Sequence, residues 1–230
     1  MQVQRARQKR RFRTGAASLL ALVVPLLLLA RPASAFEIIV SMPTRGHPIG
    51  HTAVRVHTFD RHHEVIFDFG RYGRTWGELS MHGEGIMRVW RGRRAVRRYL
   101  NMQMSTRNSL GFVLNMSPDQ ERAVLDYYRD LLRHALWSKR HGLYTRYRLP
   151  VDYNGVTVQC SAVNLAGFKQ VWGRHRWQKL LPPGFNRGRG FSSSIKRYFF
   201  ETQHRLGLDD VQAPLDLIRA LTYAHRVGNT

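Results

Sequence analysis

The chain has 230 residues, with 37 Lys and Arg against 15 Asp and Glu, a formal charge of +22 and a single cysteine. An apolar share of 43 % is enough for a packed core, which excludes a largely disordered chain. One cysteine excludes a disulfide framework and any zinc site built from several thiolates.

The first thirteen residues carry Arg5, Arg7, Lys9, Arg10, Arg11 and Arg13 without an acid, and the apolar run Ala16–Ala30 follows. At 1.5 Å per residue that run covers about 22 Å, short of a hydrocarbon core of about 30 Å. With Ala33-Ser34-Ala35 behind it, the pattern describes a secretory signal peptide over 1–35, cut before Phe36, or else an uncleaved N-terminal anchor. Seven positive charges and no acid fall in residues 1–35, so the remainder carries +15. No later apolar run approaches spanning length, and one soluble domain over 36–230 is expected, exported to the periplasm.

Phe36–Ser41 reads as a short strand, followed by a Pro- and Gly-rich loop. His51–Phe59 alternates, with Val54 and Val56 on one face and His51, Ala53, Arg55 and His57 on the other. After a polar turn holding His62 and His63, Glu64–Gly70 alternates again, with Val65, Phe67 and Phe69 opposite Glu64 and Asp68. The two form an antiparallel hairpin. Residues 71–85 read as a long loop, and Ile86–Trp90 and Ser109–Met116 as strands.

Ser117-Pro118-Asp119-Gln120 is a capping box, and Val124, Tyr127, Tyr128, Leu131, Leu132 and Ala135 follow at helical spacing. This helix is expected to end near Trp137–Gly142. Tyr144–Leu149 reads as a strand, and a helix starts at Cys160 after the turn Asn154-Gly155. Lys179–Arg189 reads as a loop, with weaker helical patterns over Ser193–Arg205 and Pro214–Arg226. The fold class is α+β.

Cys160 bears the chemistry. Free cysteine is most often a small buried apolar side chain, but an exported protein seldom keeps one idle thiol, and a helix N-terminus favours the thiolate. A thiolate nucleophile needs a histidine partner. His51, opening a strand behind a glycine loop, ranks above His57, while His62 and His63 are expected in solvent. Asp68 orients His51 if Ala53 pairs with Asp68 in the hairpin. If Arg55 pairs with it instead, Asp68 is a cross-strand ion-pair partner. Gln159 and the Cys160 backbone N–H are candidate donors to an oxyanion, the alternative for Gln159 being an ordinary surface amide.

GHTAVRV, then VIFDFGRYG, then VLNMSPDQ opening a helix, then a cysteine before another helix, together resemble an exported bacterial family. This is the N-terminal periplasmic domain of Lnb-type lipoprotein N-acyltransferases and its small relatives, over roughly residues 46–173. The resemblance implies a circularly permuted papain-like (NlpC-like) fold with His51 and Cys160 as the catalytic pair. It places Asp68 where the family has an Asn between aromatics. Gln159 departs from the Asn usual before the cysteine.

A thiol-dependent hydrolase or acyltransferase acting on an envelope lipid, lipoprotein or related acyl or amide substrate is therefore expected, without a cofactor. A peptidoglycan peptidase of the NlpC type is the alternative enzyme. A non-catalytic binder of anionic envelope components is the alternative of another class. Arg88, Arg91, Arg93, Arg94, Arg97 and Arg98, with no acid among them, are the candidate anionic-surface contacts, or simply the solvated face of a short helix. Export makes nucleic acid an unexpected partner. His47 and His51 have a metal-like spacing, but Pro48 opposes the helix it requires, and no metal site is assigned.

Overall fold

The computed structural model describes residues 35–44, 50–57, 64–77, 82–155 and 157–180, with Pro214 and Thr222. The expected leader up to residue 34, His47, His62 and His63, the loop beyond Leu180 and, apart from Pro214 and Thr222, the two weaker helical patterns lie outside the described residues. All described elements fall within one unit, Ser34–Thr230.

Seven strands form one sheet: β1 Ala35–Ser41, β2 His51–His57, β3 Val65–Trp76, β4 His82–Arg91, β5 Ser109–Leu114, β6 Trp137–His141 and β7 Tyr144–Asn154. Their order is β5-β1-β2-β3-β4-β7-β6, and every pairing is antiparallel. Three helices pack on it among the described residues: α1 Arg93–Thr106, α2 Pro118–Arg133 and α3 Cys160–Leu180. The protein is thus α+β, an antiparallel sheet packed with helices.

Both faces of the sheet are covered, and strand alternation sorts the residues between them. Phe36, Ile38, Val40, Val54, Val56, Phe67 and Phe69 join Val124 and Tyr128 of α2 and Val163, Leu165 and Phe168 of α3 in one core. Ile39, Ala53, Ile66 and Trp90 face the other way, against Ala95, Val96 and Tyr99 of α1. The face read from sequence as polar, carrying Glu64 and Asp68, is therefore buried as well.

Two expectations are corrected. Residues 71–85 are mostly strand: β3 runs on to Trp76 and β4 begins at His82, with a register shift between Arg71 and Thr75. The glycines that suggested a loop are instead points of close approach. A Cβ on Gly83 would stand 2.8 Å from the Arg74 carbonyl, and one on Gly85 2.3 Å from that of Val151. The helix opened by Ser117 ends at Arg133, and Trp137–His141 pairs with β7 as an edge strand.

Candidate active site

Cys160 opens α3, and the Gln159 carbonyl accepts the Val163 N–H at 3.1 Å to close the first turn. That turn is fastened to β2. Ser161 Oγ lies 2.9 Å from Thr52 Oγ1, and Asn164 donates to the Thr52 carbonyl at 3.0 Å while accepting from the Tyr128 hydroxyl at 3.0 Å. All four side chains are buried, so the cysteine's position follows from polar pairing inside the core. The Thr52 backbone N–H and the His51 ring both act on the thiol and favour its charged form.

His51 is the first residue of β2. Gly50 before it has φ +78°, and a Cβ there would lie 2.7 Å from the Ser41 carbonyl, so only glycine lets the chain enter the strand at this angle. His51 Nε2 meets Asp68 Oδ1 at 2.5 Å. This commits Nε2 and leaves Nδ1 for the thiol.

Asp68 reaches His51 because of the hairpin register. Val54 pairs with Phe67 and Arg55 with Ile66, which sets Ala53 opposite Asp68, one diagonal from His51. Arg55 bonds Glu37 at 3.0 Å and Glu64 at 3.2 Å. Of the two registers the sequence allows, the structure adopts the one that brings Asp68 to the histidine.

Sequence reasoning missed one member of the cluster, Tyr72, and assigned another, Arg88, to the surface. Tyr72 donates its hydroxyl to Asp68 Oδ1 at 2.8 Å and lies 3.2 Å from His51 Nε2. Its ring folds back over Gly70, where a Cβ would sit 2.7 Å from ring carbons. Arg88 donates to Asp68 Oδ2 through Nε at 2.8 Å and also through Nη2, and its guanidinium covers the Tyr72 ring at 3.5 Å. Arg88 therefore belongs to the site and not to the surface stretch with which it was grouped. The available signal was its place in the apolar strand Ile86–Trp90, where a lone charge requires a buried partner.

Arg91 is exposed and reaches the Tyr147 hydroxyl at 3.5 Å, while Arg93, Arg94, Arg97 and Arg98 line the exposed side of α1. Gln159 is fully buried beside Cys160.

Burial opposes charge at His51, Cys160, Asp68 and Arg88, and at each of these the partners outweigh it. At His51, desolvation lowers the pKa, but the Asp68 carboxylate and the Cys160 thiolate raise it to about 9. At Cys160, desolvation raises the pKa, but the charge and hydrogen bond of His51 and the Thr52 N–H bring it below the usual thiol value. Asp68 is held well below the carboxylate range against its own burial by Arg88 first and His51 second. The shifts favour a buried thiolate–imidazolium pair backed by a carboxylate–guanidinium pair, an arrangement suited to nucleophilic attack on an electrophilic carbon.

Among the described residues no cluster of three or more His, Cys, Asp or Glu could hold a metal ion, and no helix is long and apolar enough to cross a membrane. No protein-family model, curated protein or solved structure matches the chain.

Proposed function

We propose that the protein is an exported thiol-dependent hydrolase or acyltransferase of permuted papain-like type, acting on an acyl ester or amide of the cell envelope. The observation that carries the reading is the line Cys160–His51–Asp68, in which Asp68 is hydrogen-bonded to His51 and His51 acts on the thiol, with the cysteine at a helix N-terminus. The order in the chain, histidine strand before cysteine helix, suits the permuted form. The basic leader and the residual charge of +15 support work in an anionic envelope.

In the proposed reaction the Cys160 thiolate attacks the acyl carbonyl, and electrons move onto the carbonyl oxygen. As the tetrahedral intermediate collapses, the imidazolium gives its proton to the departing alcohol or amine, leaving an acyl thioester on Cys160. Water or an amine then attacks the thioester, His51 accepts the proton, and the thiolate leaves. Asp68 holds His51 in one tautomer throughout, and the Cys160 backbone N–H with Gln159 serves the oxyanion.

The test is the rate of Cys160 alkylation by iodoacetamide over a pH series. Wild-type protein should react as a thiolate well below pH 8.5, and His51→Ala should return the titration toward the ordinary thiol value of about 8.5. A thiol titrating near 8.5 in both proteins would overturn the dyad.

A further inference from the structure

Helix α1 roofs the face of the sheet that carries His51 and Asp68, and it brings polar groups the dyad does not use. Tyr99 and Gln103 stand one turn apart on its buried side, and Arg107 follows as the C-cap. Ser41 pairs with His51 across β1 and β2, and its hydroxyl meets Gln103 Oε1 at 3.4 Å, which sets this stripe beside the histidine.

Tyr99 is fully buried, and among the described residues neither its hydroxyl nor Arg107 Nε has a hydrogen-bond partner. Burial, foremost, keeps the Tyr99 hydroxyl protonated, and the group lies within electrostatic reach of Asp68, Arg88, Arg107 and Cys160. A fold leaves such a donor unpaired at a cost that a ligand oxygen removes.

Charge counting points the same way. Asp68 is matched by Arg88, and the thiolate by His51. Arg107 has no ion-pair partner among the described residues. The charge left over is the guanidinium that ends the stripe.

The geometry points to an oxyanion subsite beside His51, in which Tyr99 Oη and Arg107 Nε donate to a carboxylate or phosphate oxygen of the substrate. The assignment rests on the thiolate reading above, and it adds that the acyl substrate is anionic close to its reacting carbonyl.

Iodoacetate and iodoacetamide test it, because the thiolate displaces iodide from both and only one carries a carboxylate. Tyr99→Phe and Arg107→Gln should each lower the iodoacetate-to-iodoacetamide rate ratio at least fivefold, with the iodoacetamide rate held within twofold. Arg97→Gln, which removes the same charge from the exposed side of α1, should leave the ratio unchanged. Equal ratios in wild type, Tyr99→Phe and Arg107→Gln would overturn the subsite while leaving the dyad intact. An iodoacetamide rate that does not depend on His51 would instead remove the dyad itself, and the subsite with it.

Protection of Cys160 from iodoacetamide by acetate or by methyl phosphate, lost in Tyr99→Phe, separates a carboxylate from a phosphate substrate. Protection by neither counts against the subsite.

Discussion

Asp68 serves two cations with two oxygens: Oδ1 takes His51 and Tyr72, and Oδ2 takes Arg88. Removing one partner of such a buried set strands the others, at about 3–5 kcal/mol. Asp68→Asn should lower the urea unfolding free energy by about that amount. Combined with Arg88→Met it should cost less than the two single losses added together. Additive losses would show that the two groups do not share one network.

Acid and base limbs follow from the same groups. The His51 contribution is complete below 6.5 and is lost as pH rises through about 9. The Cys160 contribution, from a lowered pKa, is complete above 9 and erodes as pH falls from there, so its slope opposes that of His51 just below 9. Below 3.8 the Asp68 contribution is lost as well. Urea midpoints recorded against pH should show the alkaline loss through about 9 and an acid limb below 3.8. Asp68→Asn should remove the lowest-pH part of the decline.

Helix α2 needs no help from the site to form. Ser117 Oγ accepts the Gln120 N–H at 3.3 Å, the Gln120 side chain accepts the Ser117 N–H at 2.8 Å, and Pro118 occupies the first turn. Asp119 and Glu121 near the start and Arg133 at the end suit the helix dipole. Ser117→Ala should lower stability by about 1 kcal/mol, read in thermal or urea melts, with the iodoacetamide pH profile of Cys160 unchanged. Stacking of Phe67 on Tyr128 at 4.1 Å joins this helix to the sheet, and Tyr128 in turn holds Asn164 of α3. The sheet edge is managed separately: β6 is exposed along its length and presents Lys139 and Arg140, charges that discourage pairing with another chain.

The charge of the molecule divides into working parts. Arg88 is consumed inside the site, whereas Arg93, Arg94, Arg97 and Arg98 stand exposed on α1 without ion-pair partners among the described residues. The opposite side of α1 bears Tyr99 and Gln103, so a surface that binds the arginines lies one helix diameter from the site. Replacing these four arginines by Gln should weaken sedimentation with phosphatidylglycerol vesicles at least tenfold at low salt, at about 1 kcal/mol per residue near an anionic surface. The difference should shrink in high salt, and zwitterionic vesicles should not discriminate the two proteins. Equal binding to anionic vesicles would reject α1 as a docking face.

Patterns confined to a few residues were legible in the amino-acid order. The capping box at Ser117, the alternation of the β2–β3 hairpin and the helix that begins at Cys160 each depend on neighbours close in the chain. So did the choice of His51 and Cys160 as residues to watch, since their side-chain chemistry and local setting suffice for that. The hairpin register was open, because both pairings satisfy the same alternation. It closes on Ala53 opposite Asp68, where Asp68 meets His51 and Arg88, and Arg55 meets Glu37 and Glu64. Arg88 looked like one more surface arginine because the partner that buries it lies twenty residues away on the adjacent strand. The strands across 71–85 were hidden by glycines whose purpose is contact with other segments. Polarity and spacing act over short stretches of chain, whereas the neighbours that set charge and burial at the site arrive through sheet order and helix packing.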